Sequence, residues 1–157
     1  MQMYYNVPQQ QEYRMPAIAH SIRVPEALEN EIKRELERRG IREWSTGVLQ
    51  LIDEAIRISR APGIVFVDAW DGRRAALAFS GLEIWEIIRF WKARGENWEV
   101  FRQEFEELSE QQLRAAVHYY QLYPTEIDAR LAKEEYWTPE RLAAEYPFMR
   151  TRVEGHT

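Results

Sequence analysis

Side chains able to do covalent or acid–base chemistry are few and scattered. His20, His118 and His156 are far apart in the chain, and there is no cysteine. Nucleophilic catalysis needs a hydroxyl or thiol held beside a base, and no such pairing is evident in the sequence. A metal hydrolase would carry ligands at helical or short-loop spacing, such as two histidines four apart, and none appears. The carboxylates alternate with Arg and Lys, as on solvated helix faces. The seven glycines build no phosphate-cradling loop. No catalytic residue, metal or cofactor is therefore expected, and the chemistry that remains is recognition. Gln111, Gln112, Arg114 and His118 are close in sequence, and each can hydrogen-bond a base edge. Their neighbours Glu99, Glu104, Glu106, Glu107 and Glu110 would repel phosphate. This group is thus a candidate for a second DNA surface or for a surface that contacts a partner.

The chain has 157 residues, 45% apolar and 30% charged, as in a globular protein of one domain or two small ones. No apolar run approaches the roughly 18 residues that span a bilayer. With no membrane segment, no signal peptide and no disulfide, a cytoplasmic location is expected. The net charge of −5 is unevenly spread: residues 1–60 carry nine basic and nine acidic side chains, so the whole deficit lies beyond them. A neutral first part and an acidic second part point to two jobs, nucleic-acid contact for the first and a protein partner for the second.

The elements that position these residues follow from periodicity. Residues 1–15 show none and read as a mobile arm. From Ala19, Ile22 and Val24 alternate with Ser21 and Arg23, the period-two pattern of a short strand, with His20 on its inward side. Pro25 ends it and opens a helix whose stripe is Leu28, Ile32 and Leu36, stopped by Gly40. Ser45 is placed to cap a second helix, with Val48, Leu51, Ile52, Ala55 and Ile56 on one face, broken at Ala61-Pro62-Gly63. A hairpin follows, turning at Trp70-Asp71-Gly72-Arg73. Helices are then expected over 82–93, 98–105, 109–122 and 124–135, with a Ser109/Gln112 capping box and a last short helix from Thr138 to about Tyr146.

A lone strand followed by two helices leaves the strand's backbone unpaired, so the N-terminal module requires a second copy. The string from Ser21 to Arg57, SIRVPEALENEIKRELERRGIREWSTGVLQLIDEAIR, resembles the ribbon-helix-helix repressors. In that family, antiparallel strands from two chains form a ribbon that lies in the major groove. The resemblance implies a homodimer in which Ala19, Ser21 and Arg23 face the bases of double-stranded operator DNA. Arg23 suits a bidentate contact to guanine, whereas Ala19 offers only a methyl contact where the family usually has a polar side chain. Ser45 and Thr46, at a helix start, would present free N–H groups to phosphate.

The stretch 64–131 resembles a second family, small antitoxins with a winged-helix-like domain of unknown function, commonly encoded beside a PIN-like ribonuclease toxin. The matching residues are Gly81–Ile88, Gly95, Leu108–Tyr120 and Tyr123–Asp128. Where this chain reads Phe79-Ser80-Gly81-Leu82-Glu83-Ile84-Trp85, the family often reads Gly-Thr-Arg-Ile-Pro-Val-Trp, so any role of that Arg is lost here. The tail clusters Tyr136, Trp137, Leu142, Tyr146, Phe148 and Met149. These either fold back on the helical module as core or form a segment that wraps a partner. Antitoxins of the VapB type place DNA binding first and toxin binding last. That order implies that Tyr136, Trp137, Arg141, Tyr146, Phe148, Arg150 and Arg152 bind toxin, the arginines competing with the metal of the nuclease.

The expectation is a mainly α protein: an arm (1–15), a dimeric ribbon-helix-helix module (16–60), a winged-helix-like module with a small hairpin (61–135) and a toxin-binding tail (136–157). Its expected function is that of a type II antitoxin, without enzymatic activity, that neutralises a PIN-like ribonuclease and represses its own operon. The alternatives are a stand-alone transcriptional regulator and an interaction protein that has lost DNA binding.

Overall fold

The computed structural model describes residues 17–146. These are mainly helical, with seven helices and one two-stranded antiparallel hairpin. The chain divides into two compact units, residues 1–48 and 49–157.

In the first unit, residues 17–25 are irregular and mostly exposed, and α1 spans Glu26–Arg38. Pro25 fixes the entry to α1, and Glu26 and Glu29 put negative charge at its positive end. Its exit is the Gly40 stop: Ile41 N–H reaches Leu36 O at 2.9 Å and Gly40 N–H reaches Glu37 O at 3.0 Å. That double bond pattern requires a left-handed residue, and Gly40 supplies it at φ +69°. Arg38 and Arg39 both bond the Glu35 carboxylate and hold its pKa down at about 2.

The second helix, α2, spans Trp44–Arg60, beginning one residue before the expected Ser45 cap. Glu43 does the capping instead: its carboxylate accepts from Ser45 N–H at 3.1 Å and from Thr46 N–H. In the same unit, Trp44 Nε1 donates to Glu29 at 3.1 Å, and Gly47 is buried directly against Leu36.

In the second unit, β1 (Ile64–Ala69) pairs antiparallel with β2 (Gly72–Leu77). The Ala69–Gly72 pairing leaves only Trp70 and Asp71 in the loop, so Gly72, expected in the turn, belongs to β2. Neither loop residue takes a positive φ; Gly72 does, at +131°. Four helices follow: α3 (Ile84–Ala93), α4 (Trp98–Glu104), α5 (Glu110–Leu122) and α6 (Pro124–Tyr136). The start of α3 lies two residues later than expected because Glu83 and Glu86 form a capping box there. Asn97 caps α4, and the Ser109/Gln112 box caps α5.

The core is built around α3, which packs on both α5 and α6. Ile84, Ile87 and Ile88 share its buried face. Against them lie Ile64 and Leu77 of the hairpin, Phe101 of α4, Leu113 and Tyr119 of α5, and Ile127 of α6. Phe90, Trp91, Trp98, Phe101 and Phe105 pack in tilted and edge-to-face pairs around the α3–α4 end. A seventh helix, α7, spans Pro139–Glu145.

A Cβ at Gly47 would stand 2.2 Å from Leu36 Cδ2. Gly47→Ala should therefore force apart the α1–α2 contact and destabilise the first unit by about 1–3 kcal/mol. Chemical denaturation followed by circular dichroism would measure this loss.

Candidate DNA-contact and partner surfaces

Ala19, Ser21 and Arg23, expected on a strand, lie in the irregular segment before α1 and are exposed. Arg23 has no ion-pair partner among the described residues, so its guanidinium is available to a ligand. His20, expected on an inward face, is also exposed. The same segment exposes Ile22 at 67% and Ile18 at 80%, and on α1 Leu28 is exposed at 49%. Leu36 is the one buried hydrophobic side chain among the described residues of this unit.

The N–H groups of Ser45 and Thr46 are not free. The Glu43 carboxylate occupies both, and these bonds hold its pKa below the usual range, those to Thr46 most strongly. A phosphate binding there would have to displace an anion. Ser and Thr are the usual capping residues, but the longer Glu43 side chain folds back onto two successive amides.

On α5 the four recognition candidates have different standing. Gln111 is exposed. Gln112 is half-buried, and its Oε1 is committed to the capping box, accepting from Ser109 N–H at 2.9 Å. Arg114 bonds Glu110 at 2.6 Å and lies 4.6 Å from the Trp98 ring centre. The His118 ring nitrogen Nε2 sits 3.2 Å from Arg60 O. Beside them Glu99, Glu106 and Glu110, with Arg102, Gln103 and Leu108, line an open groove of 390 Å³ whose charge is wrong for phosphate.

The tail residues within the described region form a cluster of their own. Tyr136 ends α6 and meets Trp137 edge-on at 5.2 Å, and Trp137 lies 6.3 Å from Tyr146 beyond α7. Arg141 stacks 4.4 Å from the Tyr136 ring, and Thr138 caps α7 by accepting from Arg141 N–H at 3.3 Å. Tyr136, Trp137, Leu142 and Tyr146 are all absent from the core around α3 and α5. Phe148, Arg150 and Arg152 lie outside the described residues.

Two polar assemblies with no signal in local sequence fix α6, the helix that ends at Tyr136. At the hairpin loop, Asp71 accepts from Lys133 at 2.9 Å and from Arg130 at 3.1 Å, and it also bonds Arg74. Arg130 then stacks 5.1 Å from Trp85, and Lys133 lies 5.0 Å from Trp70. Burial raises the Asp71 pKa, but the bonds from Lys133 and Arg74 overcome that and hold it at about 2. At the other end of α6, Arg57 bonds Glu126 and donates to Tyr119 Oη at 3.1 Å, which in turn donates to Glu126 at 3.2 Å. Burial, and then the Glu126 charge, push the Tyr119 hydroxyl above the usual tyrosine range. The ties of Asp71 to Arg130 and Lys133, and of Arg57 to Tyr119 and Glu126, join residues dozens of positions apart, so no local spacing signals them.

Among the described residues no group of three or more His, Asp or Glu could hold a metal ion, and no helix is long and apolar enough to cross a membrane. No protein-family model, curated protein or solved structure matches the chain.

Asp71 generates a pH prediction. Its pKa falls on folding from an ordinary 3.8 to about 2, so the stability it adds is complete above about pH 4. That stability is lost as pH falls toward 2. Discounted for the partial exposure of Lys133, the contribution is on the order of 1–2 kcal/mol. Asp71→Asn should remove it at neutral pH and flatten the dependence of melting temperature on pH between 4 and 2.

Proposed function

We propose that this chain is the antitoxin of a type II toxin–antitoxin system. In this reading residues 16–60 form a ribbon-helix-helix dimer on operator DNA, and the acidic second part, with its aromatic tail, neutralises a PIN-like ribonuclease. The observation that carries it is the incomplete burial of the first unit: exposed Ile18, Ile22 and Leu28 flank an irregular segment with a free Arg23. In this reading the irregular segment before Pro25 becomes a strand only on pairing with a second copy, which also covers the exposed apolar face, and the paired strands would then offer Ala19, Ser21 and Arg23 to a groove.

Two further observations support the antitoxin half. The aromatic cluster of Tyr136, Trp137 and Tyr146 stands apart from the core, as a partner-binding segment should. The resemblance of residues 79–85 also gives glycine at the position of Phe79, whose backbone has φ +62°, a region that glycine enters freely. In this reading the winged-helix-like module is a scaffold for partner contact, because the free polar groups on α5 are few and their surroundings acidic.

Co-expression with a PIN-like nuclease encoded beside the gene tests the reading. Copurification and relief of toxicity are expected; operator binding with neither would favour a stand-alone regulator. Arg23→Ala should weaken operator binding by about 1–3 kcal/mol in a gel-shift titration while leaving neutralisation intact. Truncation after Glu135 should do the reverse. If Arg23→Ala abolishes neutralisation, the division of labour is wrong.

A further inference from the structure

Within the second unit, α2 is bonded along one face and open along the other. Arg73 donates to Glu54 at 2.6 Å, and Arg57 donates to Tyr119 Oη at 3.1 Å and bonds Glu126. On the opposite face Leu49, Ile52 and Ile56 are exposed at 66%, 47% and 46%, and Ser59 beyond them is exposed too. Ile52, Ile56 and Ser59, with Ala55 and Arg60, line an open groove of 360 Å³. Steps of three, four and three residues keep this stripe on one side of the helix, the spacing by which one helix packs along another. The bonds from Glu54 and Arg57 hold the far face, so α2 cannot turn to bury the stripe in its own core.

We propose that this stripe docks on the same stripe of a second copy, the two helices running antiparallel with Arg60 of each protomer beside Asp53 of the other. The charges beside the stripe identify the occupant. Asp53 and Arg60 are seven positions apart and so share one flank of the helix, and the stripe itself is uncharged. Asp53 keeps 44% of its side-chain surface exposed beside Arg57, while Arg60 is exposed and ion-pairs with no described residue. In a two-fold contact whatever one protomer's residue meets is met again in reverse, so an antiparallel copy joins unlike charges twice. A parallel copy would set Arg60 against Arg60 and Asp53 against Asp53. The contact stands on the second unit alone and needs neither the segment before α1 nor a nuclease.

Sedimentation equilibrium of the full-length chain over a range of protomer concentration tests the contact. Ile52→Glu places two carboxylates at the centre of the paired stripes and should raise the dimer dissociation constant at least about tenfold. Arg60→Glu and Asp53→Lys each reverse two contacts per dimer and should each weaken pairing by about tenfold. The two reversals combined in one chain should restore it, a rescue that only a second copy of the same helix can give. Unchanged pairing in Ile52→Glu, or no rescue in the combined variant, would overturn the α2 contact. Pairing lost in Ile22→Glu but kept in Ile52→Glu would overturn it in favour of a dimer held by the first unit alone. A chain that stays monomeric at every concentration would overturn both dimers.

Discussion

Everything proposed for the N-terminal unit depends on one shortfall of burial. A chain segment folds when the apolar surface that it removes from water outweighs the entropy of ordering it. Among the described residues of this unit only Leu36 is a buried hydrophobic side chain, while Ile18, Ile22 and Leu28 stand in solvent. Helix α1 has good ends, with acidic residues in its first turn and the Gly40 stop behind it. Such ends add only a few tenths to about one kcal/mol each and cannot replace a core. Among the described residues, no strand pairs with the irregular segment before Pro25 to take its backbone groups. Both deficits are met by a partner that supplies a second strand and a second apolar face. This is why the proposed dimer and the proposed DNA ribbon are a single hypothesis.

The second unit has the opposite character. Its isoleucines on α3 are enclosed by the hairpin, α4, α5 and α6, and an aromatic network closes one end. Polar side chains then fix what packing alone leaves adjustable. Asp71 draws the hairpin loop onto α6 through two cations, Arg130 and Lys133, and Arg57 ties Tyr119 to Glu126 at the start of the same helix. These ties fix α6, at whose end Tyr136 meets Trp137.

Where bonding is local, the sequence is informative. Gly40 as a helix stop, Ser109 with Gln112 as a box and Pro124 as a helix start are all visible in neighbouring residues, and each stands in the structure as its spacing requires. Two errors were also local. Glu43 displaces Ser45 as the cap of α2 because a longer carboxylate reaches the same amides, and the tight Trp70-Asp71 loop moves Gly72 into β2. The ties of Arg57 and Asp71 to α6 were illegible because their partners are distant in sequence and of ordinary type. Of the candidate sites, the exposure of Arg23 and the clustering of the tail aromatics could be anticipated from their spacing. The strain at Phe79 could not, since nothing in its neighbours requires a left-handed backbone.

The central claim is that the first unit completes its fold only by pairing with a second copy. Amide hydrogen exchange across α1, followed in the full-length chain over a wide range of protomer concentration, tests this most directly. Coupled folding and pairing predicts that protection at Glu26–Arg38 rises with concentration. Strong protection that is independent of concentration, in a chain that stays monomeric, would contradict it.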